Sequence, residues 1–211
     1  TQNQAFSALL FLYSKVLGIE LDWLKDIERA RKPKRIPVVL TRNEVWQVLS
    51  CLKGTRRLVV ELLYGAGLRV SEAVTLRVKD IDFDYRQIVL RGAKGDRDRI
   101  TVLPDSLVQR MHEQIRLVEL RHRDDLKNGY GGVPLPTALV RKYPGAGKEL
   151  MWQFVFPSRI LSPNRDTGEI CRHHMSPKTP QRAVRTAAQH AGIRKRVSCH
   201  TFRHSFATHL L

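Results

Sequence analysis

The segment HTFRH, residues 200–204, sets a histidine three positions before an arginine. On a helix His200 and Arg203 fall one turn apart on a common face, about 5 to 6 Å between Cβ atoms, within joint reach of one phosphate. A guanidinium holds two phosphate oxygens through a fixed fork and stays charged, so it can neutralise the charge that builds on phosphorus during a displacement. A neighbouring imidazole donates or moves a proton near neutral pH. Alone, the pair fits equally well a histidine that caps or packs and an arginine that only grips a phosphate. Arg69 adds to it: it stands at the mouth of the glycine-broken turn in GAGLRVSE, with Glu72 three residues on as a carboxylate that, if buried, holds the guanidinium in place. Lys94 lies in AKGDRD, a turn from which an ammonium can reach a nucleic-acid groove and protonate a leaving oxygen; by itself it reads as a solvated turn lysine.

These side chains need a scaffold, and the apolar spacing supplies one. Thr41 and Glu44 form a capping-box pattern ahead of Val45, Val48, Leu49 and Leu52, which predicts a helix. A second helix carries Leu58, Val59, Leu62 and Leu63 and breaks at Gly65 and Gly67, just before Arg69 and a short helix. From Gln87 the period becomes two, and QIVLRG and RITVLP predict a hairpin with Lys94 near its tip. Asp105 is expected to cap a helix with Leu107, Val108, Met111, Ile115 and Val118 inward. Residues 129–150 read as an inserted elaboration with a short helical piece, and MWQFVFPS alternates like a strand. A helix from Thr179 and Pro180 packs Ala183, Val184, Ala187, Ala188 and Ala191 and ends at Gly192, and a last helix carries His200 and Arg203. The fold class is therefore mainly α with a small antiparallel β-sheet, an α+β arrangement.

The 211 residues carry 37 Lys and Arg against 20 Asp and Glu, a net charge of +17, which points to a polyanion as partner. Residues 1–31 are neutral, with four charges of each sign, so the basic face belongs to residues 32–211. The stretch AFSALLFLYSKVLG is apolar on nearly every helical face and reads as the end of a helical domain, residues 1–31. Residues 32–40 form a basic, proline-containing linker, and Arg31, Lys32, Lys34 and Arg35 are candidate contacts to a phosphate backbone. Residues 41–211 form the main domain. No apolar run approaches the roughly 18 to 20 residues of a membrane span, and the opening lacks a signal-peptide pattern. Three cysteines, Cys51, Cys171 and Cys199, suit a reducing compartment better than a disulfide framework. A soluble, cytoplasmic protein is expected. Cys171, His173 and His174, with Cys199 and His200 later, match no familiar zinc spacing, and no carboxylate cluster suggests a catalytic metal, so neither metal nor cofactor is expected.

GAGLRVSEAVTLRVKDIDF, GAKGDRDRITVLP and HTFRHSFATHLL resemble, in this order and with similar separations, the two motif boxes and the β-hairpin lysine of the tyrosine site-specific recombinases. The resemblance covers nearly all of residues 41–211, and it likens residues 1–31 to the end of the family's N-terminal DNA-clamping helical domain. It implies that Arg69 and Arg203 stabilise a transition-state phosphate and that Glu72 supports Arg69. It further implies that Lys94 is the general acid toward a departing 5′ hydroxyl and that His200 assists proton transfer. DNA is the implied partner, with a homo-oligomer, a tetramer in synapsis, assembled on it. The nucleophile in this family is a tyrosine downstream of the second box. Tyr13, Tyr64, Tyr85, Tyr130 and Tyr143 all precede that position, so the role falls on none of them, and the active site of this chain is expected to be incomplete.

A finer likeness lies in GYGGVPLPTALVRKYPGAGKELMWQFVFPS and TGEICRHHM, which resemble the integron integrases. Those enzymes act on single strands folded as hairpins and locate them by bases that protrude from the duplex. Trp152, His173 and His174 are then candidates to stack on such bases, against the alternative that Trp152 is core and the histidines incidental. A different class remains open: a DNA-binding module that holds phosphates without chemistry. The net charge suits it equally, but it has no need of Arg69, Lys94, His200 and Arg203 in the family's order.

Overall fold

Gln2–Phe11 (α1) is helical and runs on into a π-helical turn, Leu12–Val16. Nothing in α1 is buried, and Leu9, Phe11, Leu12 and Val16 stay exposed, as apolar residues on several faces of one helix require. The computed structural model describes residues 2–19, 36–93, 97–135, 137–164 and 167–211. It divides into two units, Thr1–Ile36 and Pro37–Leu211. Arg31, Lys32, Lys34, Arg35 and Lys94 lie outside the described residues.

The second unit begins with extended chain to Leu40, whose N–H donates to the buried Ser205 hydroxyl at 3.0 Å. Arg42–Ser50 (α2) has the expected capping box: Glu44 Oε2 accepts the Thr41 N–H at 2.7 Å, and Thr41 Oγ1 accepts the Glu44 N–H at 3.2 Å. Gly54–Gly65 (α3) is the central helix. It buries an unbroken run from Leu58 to Leu63 and packs against four later helices as well as α2. Within that run Glu61 is the one charge, paired with Arg57 and Arg110. The later helices are Val70–Thr75 (α4), Asp105–Lys127 (α5), Lys178–His190 (α7) and Cys199–Leu210 (α8), with the short Thr137–Lys142 (α6) between α5 and α7.

Ile81–Asp82 (β1), Gln87–Ala93 (β2) and Arg97–Val102 (β3) make an antiparallel sheet in chain order, with Ile81 opposite Ile88 and Val89 opposite Ile100. A register irregularity lies between Leu90 and Ala93. Ser162–Pro163 (β4) and Ile170–Cys171 (β5) form a second, two-stranded sheet. The mainly helical α+β class is thus as expected.

Two local expectations are corrected. MWQFVFPS is not a strand: Leu150–Trp152 is a 3-10 turn, and beyond it only isolated bridges form, Arg77 with Phe154 and Pro157 with His174. The Gln153 side-chain amide holds the bend by donating to the carbonyls of Gly131, Gly147 and Glu149 at 3.0 to 3.2 Å. Val155 and Phe156 are both fully buried in succession, which an alternating strand would not allow. Asp105 does not cap α5. Pro104 occupies the capping position, and Asp105 in the first turn pairs with Arg86 at 2.8 Å.

Candidate active site

Gly67 sits in the left-handed region (φ +62°) between α3 and α4, and Arg69 becomes the residue that precedes α4. Glu72, in the first turn of α4, turns back on it. Its Oε2 accepts the Arg69 N–H at 2.7 Å, and its Oε1 accepts Nη1 of Arg69 at 2.6 Å. One carboxylate thereby caps the helix and fixes the guanidinium. From α8, Arg203 donates to the Gly67 carbonyl, which places its Nη1 3.7 Å from Glu72 Oε2. The structure therefore joins Arg69, Glu72 and Arg203, with the two guanidiniums about one-third exposed and the Glu72 carboxylate 11% exposed.

A third arginine, Arg99 of β3, donates from Nη2 to Glu72 Oε2 at 2.7 Å. Sequence reasoning missed it. The available signal was the strand period, which puts Arg99 on the face opposite Ile100. Burial pushes the Glu72 carboxyl up, but the hydrogen bonds from the Arg69 backbone and side chain and from Arg99 outweigh it, leaving the group below its ordinary 4.5. Burial, and then the charges of Arg69 and Arg99, pull the Arg203 guanidinium below its usual value, a cost that a bound anion relieves.

His200 occupies the first turn of α8, exposed, with its ring centroid 6.3 Å from that of His204. It borders a cleft of about 530 Å³ together with Val70, Arg185 and Arg196. A larger cleft, about 730 Å³, has Arg69 and Glu72 on its wall and also Trp152, His173 and His174. The three candidate stacking residues are thus brought to the same cavity as the arginine and carboxylate. Trp152 is half-buried rather than core. The Lys79 ammonium lies 3.1 Å from its ring centroid, and the Arg77 guanidinium 5.9 Å away.

Half-buried arginines hold this end of the cleft in place. Arg77 donates to the Trp152 carbonyl at 2.6 Å and to the Pro134 carbonyl at 2.8 Å, and lies 4.4 Å over Phe154. Arg172 forms a two-pronged pair with Asp125 of α5 at 2.5 and 2.7 Å and also donates to the carbonyls of Ser158 and Arg159. It immediately precedes His173 and His174, and Phe154 meets His174 edge to face at 5.3 Å. Among the described residues no group of three or more His, Cys, Asp or Glu side chains is placed to hold a metal ion. Among the described residues no tyrosine lines the larger cleft. Tyr64 instead hydrogen-bonds its hydroxyl to His209 Nδ1 at 2.8 Å.

The chain belongs to the phage integrase family, whose pattern matches residues 38–211. It is 47% identical over 211 residues to an integrase/recombinase of Escherichia coli and, to the same degree, to one of Pseudomonas aeruginosa; the match covers 100% of this chain and 63% of each relative. It is 34% identical over 182 residues to the tyrosine recombinase XerA of Thermococcus onnurineus, covering 85% of this chain and 50% of that protein. Among solved structures it resembles XerA recombinase (TM-score 0.53, 22% identity, 99% of this chain and 61% of the other). It also resembles XerH bound to its difH substrate (TM-score 0.56, 21% identity, 96% and 51%). At such identities the structural likeness speaks for the fold, that of a tyrosine recombinase catalytic domain. The chain spans 63% of the length of the E. coli and P. aeruginosa relatives.

Proposed function

We propose that the protein is a site-specific DNA recombinase that cleaves and rejoins strands without a metal, through a 3′-phosphotyrosyl intermediate. The observation that carries this reading is the convergence of Arg69 and Arg203 on one carboxylate, with Arg69 and that carboxylate on the wall of a cleft. A tyrosine oxygen attacks phosphorus, forming the phosphotyrosyl bond as the bond to the 5′ oxygen breaks. Arg69 and Arg203 carry the added negative charge, Lys94 protonates the leaving 5′ oxygen, and His200 hydrogen-bonds the phosphate and moves a proton. The attacking tyrosine is none of the five in this chain. DNA is the partner, engaged by a homo-oligomer that becomes a tetramer in synapsis.

The finer reading is of integron type: cassette sites folded from single strands, chosen through extrahelical bases. It is supported by Trp152, His173 and His174 lining the cleft that Arg69 and Glu72 also line, since an unstacked base needs a π-surface beside the scissile phosphate.

The test is covalent trapping on a nicked suicide DNA. The 211-residue chain is expected to bind DNA and trap nothing, whereas a protein carrying it at the full length of its relatives traps the strand. In that longer protein Arg203→Ala should lower cleavage by about 10² or more, the scale for losing a transition-state charge donor, with binding changed only a few fold. A parallel fall in binding and cleavage would favour the alternative, a module that holds phosphates without chemistry.

A further inference from the structure

Glu72 Oε2 has room for two hydrogen bonds, and both are taken: one by the Arg69 N–H at 2.7 Å and one by Arg99 Nη2 at 2.7 Å. Arg203 Nη1 stands 3.7 Å from that same oxygen, too far for a hydrogen bond, and spends a donor on the Gly67 carbonyl instead. Three guanidiniums from three separate elements thus surround one carboxylate, but only two of them bond to it.

We propose that Arg99 is a positioning residue for Arg203: by filling the last acceptor site on Glu72 Oε2, the oxygen nearest Arg203, it keeps Arg203 from collapsing onto that oxygen and leaves its charge available to a phosphate. The inference rests on the reading of Arg203 as a phosphate ligand. Two bodies of physics support it. A guanidinium within about 4 Å of an unsaturated carboxylate oxygen gains a charge-assisted hydrogen bond by a small side-chain rotation, so Arg203 would take the vacancy if one opened. Once paired, it would present less field to a phosphodiester, since the carboxylate would cancel part of its charge. Three guanidiniums and one carboxylate leave a net charge of two, which matches a phosphodiester that gains a second negative charge on its way to a five-coordinate state.

Arg99 also ties β3 to α4 through the same carboxylate. Its Nε is buried without a hydrogen-bond partner among the described residues, which leaves Nη2 as the atom that makes the contact with Glu72. A single-donor contact of this kind can be made by lysine, which gives the proposal a conservative rescue.

The test uses the 211-residue chain with inorganic phosphate as probe. The Glu72 carboxyl is titrated by carbon-13 NMR in the wild type, Arg99→Ala, Arg203→Ala and the double variant. Each single change should raise the titration midpoint little, because either arginine can fill the site. The double change should raise it by more than the two singles together. In parallel, guanidinium nitrogen signals report phosphate binding at Arg69 and Arg203, which Arg99→Ala should weaken about tenfold, the scale of one charge-assisted hydrogen bond, and Arg99→Lys should restore. A crystal structure of Arg99→Ala should show Arg203 bonded to Glu72. Arg99→Met, which keeps the apolar stem, replaces the alanine variant if that one melts early. Additive midpoints, with Arg203 unmoved and phosphate affinity unchanged, would overturn the proposal. If the wild type bound no phosphate at Arg69 and Arg203, the recombinase reading would lose its anion site, and the titration by itself would still decide whether Arg99 holds Arg203 away.

Discussion

Glu72 is the residue on which the site's electrostatics turn. Its carboxylate, 11% exposed, answers to Arg69, Arg99 and, at longer range, Arg203. Because the folded protein holds this group below its ordinary 4.5, its contribution to stability is fully present above that value and is lost as pH falls through the lower folded value. Glu72→Gln should therefore cost about 1 to 3 kcal/mol at pH 7, a range for lost charge-assisted bonds discounted for partly exposed partners. The gap between variant and wild type should narrow as pH drops below 4.5. Urea midpoints at a series of pH values provide the check. A gap independent of pH would mean that Glu72 stabilises by packing and not by charge.

At the scale of elements, the decisive joint is the break between α3 and α4. Gly67 adopts φ +62°, and a Cβ there would come within 2.5 Å of the Phe206 ring on α8. Gly67→Ala thus strains the backbone and forces the Phe206 ring, on the helix that carries His200 and Arg203, to shift. A loss of about 2 to 4 kcal/mol is expected, combining left-handed strain with overpacking. Thermal melts of Gly67→Ala alone and with Phe206→Ala would separate the two: the second change relieves the clash and leaves the strain.

The other joint is the turn Leu150–Trp152, held by Arg77 and Gln153. If Trp152 stacks on a protruding base, Trp152→Ala should weaken binding to a bulged hairpin by about 1 to 3 kcal/mol and barely touch a perfect duplex of the same length. The ammonium of Lys79 would have to leave the indole face for the base to enter. Equal losses on both DNAs would make Trp152 a general contact.

For the molecule as a whole, if DNA is the partner as proposed, a net charge of +17 on 211 residues should make counterion release the main source of affinity. Binding constants should fall steeply and linearly with salt on logarithmic axes, with nearly the same slope for bulged and unbulged DNA. Trp152→Ala should leave that slope unchanged, because no phosphate contact is lost. Salt titrations with both DNAs test this directly, and a changed slope would assign Trp152 an effect on the backbone contacts. Among the described residues no helix is long and apolar enough to cross a membrane.

How far the chain could be read before folding depended on the range of each interaction. The apolar periods of α2, α3, α5, α7 and α8, the Thr41–Glu44 capping box and the hairpin were legible, because each is encoded within a few residues of its own position. The Arg69–Glu72 pair was legible for the same reason, being three residues apart on one helical turn. MWQFVFPS misled because its bend is held by Gln153 reaching back to Gly131 and Gly147, not by its own period. Arg99 meets Glu72 across 27 residues, Arg172 meets Asp125 across 47, and Arg203 meets Gly67 across 136. Local pattern states which face of an element is apolar. Which polar side chains then converge depends on how those faces pack against α3, and a close-packed core admits few arrangements, so packing alone set the third arginine and the shared cleft.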